Sequence, residues 1–197
     1  MNSTNIRQQY RQIRRQLPES TQTLHAALLK QNIDVLLGSS KSLKIAAYIA
    51  TQGEISLKPW IAENTHHQIF LPKLYEVNAP ELRFAELSKN TQWEKNRFNI
   101  LEPEANWENT LLAEQLDIVL IPLVAFDREG HRLGMGGGYY DRSLAFRLSQ
   151  KTSLQPQLIG IAHSCQEHPQ LSHQSWDVPL DNIITEKEII TSERGAS

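Results

Sequence analysis

The chain has 197 residues, 40% of them hydrophobic, which is long enough to bury a substantial core in one domain spanning residues 1–197. Its 20 Lys and Arg are nearly balanced by 22 Asp and Glu, so no basic field favours nucleic acid and any anion site must be local. The single cysteine excludes a disulfide framework. No apolar run approaches the roughly 20 residues that cross a bilayer, and the arginine-rich beginning lacks a signal peptide's apolar core. These features predict a cytoplasmic protein that binds neither nucleic acid nor membrane.

Two helices are predicted at the beginning of the chain. The first places apolar side chains at spacings of four, three and four, namely Ile6, Tyr10, Ile13 and Leu17. Pro18 ends this helix, and several arginines lie around the rest of its surface. The second helix begins near Ser20 and stops at Gly38, and its apolar positions are Leu24, Leu28 and Leu36.

Strand-like runs alternate with helix-like runs along the rest of the chain. The predicted strands cover residues 43–50, 68–71, 82–87, 117–126, 157–162 and, as the last, 182–185. The run at 117–126 is nearly all apolar and predicts a central strand, whereas residues 88–109 lack a clear period and predict a long ordered loop. The alternation predicts an α/β fold: an open, mainly parallel central sheet flanked by helices in a single layer-type domain.

The most informative segment runs from Asp127 to Arg142 and carries four glycines between a strand-like and a helix-like run: Gly134, Gly136, Gly137 and Gly138. Glycine permits positive φ and has no Cβ, so several backbone N–H groups can converge on one anion, and the following helix adds its positive end. Arg132 and Arg142 flank the loop with fixed charge, and Asp141 supplies a hard oxygen ligand nearby. The segment therefore predicts a metal–nucleotide site.

Neither common glycine-rich phosphate motif fits this segment. No Gly-Lys-Ser/Thr follows the glycines, and Tyr139 takes the place of the third glycine of a dinucleotide fingerprint. A glycine-rich loop without any ligand is the structural alternative. The arginines, the aspartate and the paired tyrosines favour a ligand site, because a purely structural loop has little use for them.

Polar residues also accompany the other predicted strands. Glu54 follows the first strand, Lys73 follows the second, and Asp177 comes shortly before the last. Because a parallel sheet binds ligands beyond the carboxyl ends of its strands, these side chains are expected in one crevice with the glycine segment. Taken alone, Glu54 is typical of a turn, Lys73 of an exposed loop and Arg7 of a solvated basic helix face.

Spacing argues against two other kinds of site. One stretch clusters four zinc-type ligands, His163, Cys165, His168 and His173, but it lacks a second Cys-x-x-Cys or a helical histidine pair, so zinc is not expected. The adjacent His66 and His67 are expected to point apart on the surface. No serine or cysteine lies in a nucleophile elbow, so covalent hydrolase chemistry is not expected either.

Residues 121–127 and 132–142 together closely resemble the signature of the 5-formyltetrahydrofolate cyclo-ligase family, also called 5,10-methenyltetrahydrofolate synthetase. The resemblance covers nearly the whole chain. It includes Thr-Gln-Gly-Glu-Ile at 51–55, Leu-Pro-Lys at 71–73, Phe-Asn-Ile-Leu-Glu-Pro at 98–103 and Trp-Asp-Val-Pro-Leu-Asp at 176–181. Enzymes of this family use ATP and Mg²⁺ to convert 5-formyltetrahydrofolate into 5,10-methenyltetrahydrofolate, with release of ADP and phosphate.

The resemblance also implies roles for individual residues. ATP would contact Arg7 and the glycine stretch, namely Arg132, Leu133, Gly134, Met135, Gly136, Gly137, Gly138, Tyr139 and Tyr140. Mg²⁺ would be held by Asp141 and Asp177. The reduced folate would contact Ile49, Glu54, Gly136, Gly137, Gly138 and Tyr139. Arg132 and Asp141 would be the catalytic residues, and Lys73 would be a cation near the phosphates.

Two positions depart from the family pattern. Ser3 stands where the family often has a lysine, four residues before Arg7, and His163 stands where an aromatic is common. Besides the cyclo-ligase, two functions remain open: a non-catalytic folate- or nucleotide-binding protein on the same fold, and a sugar-phosphate or acyl-CoA enzyme that needs neither ATP nor Mg²⁺. The chain is expected to be a monomer or a weak homo-oligomer.

Overall fold

The elements of the fold are taken from a computed structural model that describes residues 2–39, 41–74, 81–149 and 155–192. Within these ranges the helices are α1 (Ser3–Arg15), α2 (Glu19–Leu37), α3 (Lys58–Glu63), α4 (Tyr139–Ser143) and α5 (Phe146–Ser149). The strands are β1 (Lys44–Ala46), β2 (Gln68–Leu74), β3 (Leu82–Glu86), β4 (Trp93–Lys95), β5 (Leu101–Pro103), β6 (Thr110–Leu111), β7 (Ile118–Pro122), β8 (Ala125–Phe126), β9 (Arg132–Leu133), β10 (Gln157–Ile161), β11 (Asn182–Ile184) and β12 (Ile189–Thr191). No helix in the described part of the chain is both long and apolar enough to span a membrane.

Eight strands form the central sheet, in the order β12-β11-β10-β7-β1-β2-β3-β6. The five strands from β11 to β2 are parallel, and β12, β3 and β6 pair antiparallel at the two sides. The register places Ile45 of β1 opposite both Ile69 of β2 and Ile118 of β7. The prediction of a mainly parallel α/β sheet with the 117–126 run near its centre is therefore confirmed.

The two faces of the sheet carry separate apolar clusters, because side chains alternate along each strand. Ile118 and Leu120 of β7 belong to a cluster with Leu29 of α2 and Trp60 of α3. The intervening Val119 and Ile121 belong to a second cluster, which also holds Leu144 after α4. β7 is thus buried on both faces, as its nearly continuous apolar sequence predicts.

The predicted apolar face of α2 is only partly correct: Leu36 packs against the apolar cluster that contains β1, whereas Leu24 lies on the exposed side. Leu24 is 57% exposed, and the buried positions of the helix are Ala26, Leu29 and Ile33. Both sets recur at helical spacing, so the periodicity alone does not distinguish them. The sheet selects the second set, because Leu29 and Ile33 pack with the apolar side chains of β1 and β7.

Three further predictions of secondary structure need correction. Residues 88–109 contain the hairpin of β4 and β5 rather than only a loop. Asn99 lies in its turn with a φ of 59°. The side chain of Asn96 stabilises the turn by accepting from the N–H groups of Phe98 and Ile100. The amphipathic helix predicted after the glycines is two short helices, α4 and α5. β12 follows the strand that was predicted to be the last.

Candidate active site

Helix α1 lies across the carboxyl ends of the parallel strands, where it contacts the glycine loop. Arg7 donates from Nε to the carbonyl oxygen of Gly134 at 2.9 Å and from Nη1 to Oγ of Ser3 at 3.3 Å. A Cβ added to Gly136 would lie 3.7 Å from Nε of Arg7. The helix arginine and the loop therefore form one surface, as the resemblance implied, and Ser3 orients the arginine.

The glycine loop leaves its backbone donors unused. Gly136 and Gly138 have positive φ values of 96° and 66°, a conformation that L-residues other than glycine rarely adopt. No described residue accepts a hydrogen bond from the backbone N–H groups of residues 135–138. The loop residues at 134–137 are exposed, so these N–H groups are available to a ligand. Helix α4, which follows the loop directly, has only 5 residues.

Arg132 connects the loop to two carboxylates. Its side chain is 6% exposed, and its Nη2 donates to Oδ1 of Asp141 at 2.5 Å while Nη1 donates to the carbonyl oxygen of Val178. Burial lowers the pKa of the guanidinium, and the charges of Asp141 and Asp177 oppose that shift. Both carboxylates therefore lie near this guanidinium.

Each of these carboxylates keeps one free oxygen. Asp141 accepts from Arg132 through Oδ1, and Asp177 accepts from the backbone N–H of Gln174 through Oδ2 at 2.8 Å. In the part of the chain that the structure describes, the other oxygen of each carboxylate accepts no hydrogen bond. The pair is therefore able to offer two hard oxygen ligands to a cation.

Tyr140 connects the glycine segment to the loop after β1. Burial raises the pKa of its hydroxyl well above the ordinary range, the negative charge of Glu54 raises it further, and Arg132 opposes both effects. The hydroxyl is therefore protonated at neutral pH and remains a hydrogen-bond donor. Glu54 and Arg132, which follow different strands, therefore both lie near this hydroxyl.

Glu54 is held by a buried ion pair. Its Oε1 accepts from Nη2 of Arg14 at 3.3 Å, and its Oε2 accepts from the N–H and hydroxyl of Thr51 at 2.9 and 3.2 Å. Burial raises the pKa of the Glu54 carboxyl, and the charge of Arg14 and the bonds from Thr51 oppose that rise. Arg14 also donates to the carbonyl oxygens of Leu123, at 2.8 Å, and Gln52, at 3.2 Å. One arginine therefore fixes the loop at 51–54 against α1 and the end of β7.

Arg14 has no predicted role, although its position in the sequence carries a signal for one. The side chain is 0% exposed, while the neighbouring Arg15 is exposed. Arg14 lies four residues after Tyr10, which lies four residues after Ile6, so the three share one helix face. An arginine that continues a buried apolar stripe needs internal acceptors, and this one has three.

Gly53 is where the loop touches α1 most closely, and its replacement by alanine is expected to lower the free energy of unfolding by about 2–4 kcal/mol. Its φ is 80°, and a Cβ would lie 2.8 Å from the carbonyl oxygen of Arg14. Gly38→Ala is the matched control, because Gly38 also has positive φ, 55°, but has nothing within 4 Å of the added Cβ. That control is expected to cost about 1–3 kcal/mol, from its backbone conformation alone, because L-residues avoid a φ of 55° with a ψ of −146°. Urea denaturation measures both, and equal losses would show that the contact with Arg14 is unimportant.

The hairpin of β4 and β5 reaches the glycine segment through an aromatic contact that the sequence analysis did not find. The rings of Phe98 and Tyr139 meet edge to face at 6.1 Å, and Nη2 of Arg97 donates to the hydroxyl of Tyr139. Phe98 remains 54% exposed. The guanidinium of Arg142 lies over the same Tyr139 ring, 5.3 Å from its centre. These side chains form an aromatic wall beside the loop.

Three predicted site residues have structural surroundings that limit what they can do. Leu133 is 9% exposed and packs with α1 residues, so only its backbone faces the loop. Ile49 is half-buried against the apolar cluster that contains β1. Lys73 donates to Glu94 and to the carbonyl oxygen of Pro103 at 3.2 Å, so its charge is already paired. Its predicted place near phosphates stays a prediction.

The histidines are arranged differently from the sequence expectation. His67 is buried, stacks near Trp60 and accepts from the backbone N–H of Leu43 at 3.2 Å, so its predicted surface position is wrong. Its ring also lies 3.9 Å from that of His66, so the two do not point apart.

The four sequence-clustered zinc-type residues do not form one site in the described structure. His168 lies edge to face with Tyr10, and His173 stacks on His131 at 3.9 Å. His163 is fully buried, and burial together with the nearby His25 lowers its pKa to about 4. The position where the family commonly has an aromatic is therefore filled by a neutral imidazole ring.

The fold and the site define an α/β protein whose sheet carries, at its carboxyl edge, a glycine loop lined by arginines and carboxylates. The chain belongs to the 5-formyltetrahydrofolate cyclo-ligase family, whose profile matches residues 1–186. The resemblance seen in the sequence is confirmed. A ligase joins bond formation to nucleotide cleavage, so the family implies an ATP-dependent reaction and small-molecule substrates.

Relatives and solved structures agree with this membership. The chain is 37% identical over 181 residues to a 5-formyltetrahydrofolate cyclo-ligase from Haemophilus influenzae, covering 91% of this chain and 95% of the relative. It is 35% identical over 147 residues to the protein of the same name from Escherichia coli K12, covering 74% and 79%. The NMR structure of 5,10-methenyltetrahydrofolate synthetase from Aquifex aeolicus superimposes with a TM-score of 0.80 at 30% identity, covering 98% of this chain and 94% of that one.

Proposed function

We propose that the chain converts 5-formyltetrahydrofolate and ATP into 5,10-methenyltetrahydrofolate, ADP and phosphate, with Mg²⁺ as the metal. The observation that carries this proposal is the run of four backbone N–H groups at 135–138 with no acceptor among the described residues, beside Arg7 and Arg132. Such converging donors and cations suit a polyphosphate. Family membership supports the identity of the two substrates.

The phosphates of ATP would lie on the loop. Arg7 is held over it by Gly134 and Ser3, so Ser3 contributes indirectly at the position where the family often has a lysine. Arg142 donates from Nη2 to the carbonyl oxygen of Gly137 at 2.5 Å. This hydrogen bond helps to fix the shape of the loop, and the guanidinium does not point into the loop. In this arrangement, backbone donors bind the phosphate oxygens and Arg7 supplies charge.

The residues present fit a magnesium ion. Asp141 and Asp177 each keep one carboxylate oxygen without a partner in the described chain, and hard oxygen ligands are the ones Mg²⁺ prefers. When bound, Mg²⁺ supplies charge neutralisation and orientation of the transferred phosphoryl group. Arg132 holds Asp141 in position and places a fixed positive charge beside the same carboxylate.

The folate side of the site would be built by Glu54, Ile49 and the aromatic wall. Glu54 is fixed by Arg14 and Thr51, so its carboxylate is an oriented acceptor for N–H donors of a reduced folate ring. Tyr139, which contacts Phe98, offers a flat apolar surface to the ring system. The formyl group would then lie between this wall and the glycine loop.

The reaction requires positioning more than a protein nucleophile. The formyl oxygen attacks the γ-phosphorus of ATP, and the bond to ADP breaks, which activates the formyl carbon as a phosphate ester. The neighbouring folate nitrogen attacks that carbon and loses its proton, and the carbon–oxygen bond breaks to release phosphate. Arg132 and the loop N–H groups stabilise the charge on the moving phosphoryl oxygens. The original formyl oxygen leaves in the phosphate.

The test is to incubate the purified chain with 5-formyltetrahydrofolate, ATP and Mg²⁺ and to follow the absorbance of the methenyl product. The expected result is product formation that needs both ATP and Mg²⁺ and yields one ADP per product, with ¹⁸O from a labelled formyl group appearing in phosphate. Absence of ATP-dependent product from the folded protein would contradict the proposal. Thermal stabilisation by both ligands without turnover would instead favour a non-catalytic binding protein. Phosphate binding without need of ATP or Mg²⁺ would favour the sugar-phosphate or acyl-CoA enzyme.

A further inference from the structure

A second group of metal-ligand side chains lies at the carboxyl edge of the sheet, apart from the glycine loop. His25 comes from α2, His163 follows β10, and Glu186 follows β11. One ligand atom from each lies within 4.8 Å of the others. His163 is fully buried, and the side chains of Glu186 and His25 are 3% and 16% exposed. The three donors therefore converge from separate elements and are reached from the side of His25.

The contact between the two histidines directs a lone pair of His163 toward a ring nitrogen of His25. Nδ1 of His25 lies 2.8 Å from Nδ1 of His163, and Nε2 of His163 lies 3.2 Å from the carbonyl oxygen of Gly53. Because a carbonyl only accepts, Nε2 of His163 carries the hydrogen and its Nδ1 presents a lone pair to His25. Two imidazole nitrogens at this separation share either one proton or one cation. Around a tetrahedral zinc they would be about 3.3 Å apart, a small outward shift from the present geometry.

The surroundings already have the hydrogen bonds that orient metal ligands. A ligating histidine normally donates its other ring N–H to a carbonyl or carboxylate, which is what His163 does with Gly53. Glu186 is oriented by Ser164, whose N–H donates to Oε2 at 2.8 Å and whose hydroxyl donates to Oε1 at 2.5 Å. Nε2 of His25 lies 3.7 Å from Oε1 of Glu186. His163 and Glu186 are thus each held in direction by a neighbour that does not itself ligate.

A second histidine–carboxylate group in the described chain differs in this respect. Asp127, Glu129 and His131 are also close together, but Asp127 accepts from the N–H groups of Glu129, His131 and Leu171. Its lone pairs are used to close the turn before the glycine segment. That group is structural, and it supplies a matched control.

We propose that His25, His163 and Glu186 form a binding site for a zinc-type divalent cation, distinct from the magnesium ligands of the proposed active site. Two imidazoles and one carboxylate suit zinc or cobalt rather than magnesium or calcium, which prefer oxygen alone. Three protein ligands leave a fourth position for water. The ion would join α2 to the segments after β10 and β11 and, through His163 and Gly53, would stabilise the loop that carries Glu54.

The test uses the full chain, freed of metal by chelation and titrated with Co²⁺ and then Zn²⁺ in the absence of nucleotide. The expected result is one Co²⁺ per chain, with the visible absorption of a tetrahedral site, displaced by Zn²⁺. His25→Gln is expected to weaken binding by more than about 100-fold, beyond the effect typical of orienting partners. His163→Phe should do the same. His131→Gln and Asp141→Asn are expected to leave both stoichiometry and affinity unchanged.

The proposal fails if the wild-type chain shows no stoichiometric tetrahedral Co²⁺ band, which would mean that the two histidines share a proton. It also fails if binding survives His25→Gln or is lost in His131→Gln or Asp141→Asn. His163 is buried, so His163→Phe is compared with the wild type by cooperative thermal unfolding. The partly exposed His25 decides the matter if that variant does not fold.

Discussion

Replacing Asp141 by asparagine is expected to lower kcat for methenyl formation by about 10³-fold while the protein remains folded. The change removes one carboxylate from the proposed magnesium site but keeps the side chain's size and an oxygen able to accept from Arg132. Metal-based charge neutralisation contributes several kcal/mol in phosphoryl-transfer sites, and its loss falls on the chemical step. Steady-state rates over a series of Mg²⁺ concentrations measure the effect, and high Mg²⁺ is expected to restore part of the activity.

Glu188→Gln is the control for the loss of one negative charge. Glu188 pairs with Arg128 on the surface, its side chain is 46% exposed, and it is absent from the proposed site. Its replacement is expected to change kcat by less than about twofold. A folded Asp141→Asn protein with the wild-type rate would remove Asp141 from the magnesium site. Equal losses in both variants would point to a general effect of charge.

Replacing Arg14 by methionine is expected to lower the free energy of unfolding by about 3–5 kcal/mol at pH 8. The substitution leaves the Glu54 carboxylate buried without its cation and leaves the carbonyl oxygens of Leu123 and Gln52 without a donor. Adding Glu54→Gln in the same chain is expected to restore part of the stability, because the unpaired charge is gone. Urea denaturation of the single and double variants gives the coupling between the two residues.

The loss in Arg14→Met should depend on pH in a defined direction. Burial already raises the pKa of Glu54 in the wild type, and removal of Arg14 takes away the main charge that opposes the rise. A raised carboxyl pKa means that the folded state binds its proton more tightly than the unfolded state does. The part of the penalty that comes from the carboxylate is therefore absent below the unfolded carboxyl's ordinary pKa and grows as the pH rises through the folded value. The part that comes from the carbonyl oxygens of Leu123 and Gln52 does not depend on pH.

Arg15→Met is the matched control, because Arg15 is exposed on the same helix and, within the described residues, bonds only the side chain of Gln52. Its replacement is expected to change stability by less than about 0.5 kcal/mol at any pH. A pH-independent loss in Arg14→Met, or a loss no larger than that of Arg15→Met, would contradict the account of the buried pair.

The mainly parallel sheet and the central place of the 117–126 run could be predicted from the sequence, because both depend on local patterns. The apolar run at 117–126 is stable only when both of its faces are buried, as they are in a central strand. β7 lies at the centre of the sheet, and its side chains belong to the apolar clusters on both faces. Parallel strands bring their carboxyl ends to one edge. Glu54 and Arg132 follow different strands in sequence, and both shift the pKa of Tyr140.

What sequence reasoning missed depends on contacts between residues far apart in the chain. His25 and His163 are 138 positions apart, and only the packing of α2 beside β10 brings their rings together. The choice between two apolar faces of α2 is made by the sheet, so Leu24 was assigned to the wrong side. Arg14 is the exception, since its spacing from Tyr10 marks the buried face. The single-domain organisation and the monomeric or weakly associated state stay predictions.

The central claim is that residues 132–141 bring ATP, magnesium and the folate formyl group together, and a crystal structure with 5-formyltetrahydrofolate, a non-hydrolysable ATP analogue and Mg²⁺ tests it most directly. The account predicts phosphate oxygens about 2.7–3.2 Å from at least two of the N–H groups at 135–138, with the metal on Asp141 and Asp177 and the formyl oxygen facing the γ-phosphate. Fully occupied nucleotide bound elsewhere, with the glycine loop and both aspartates free of ligand, would contradict it.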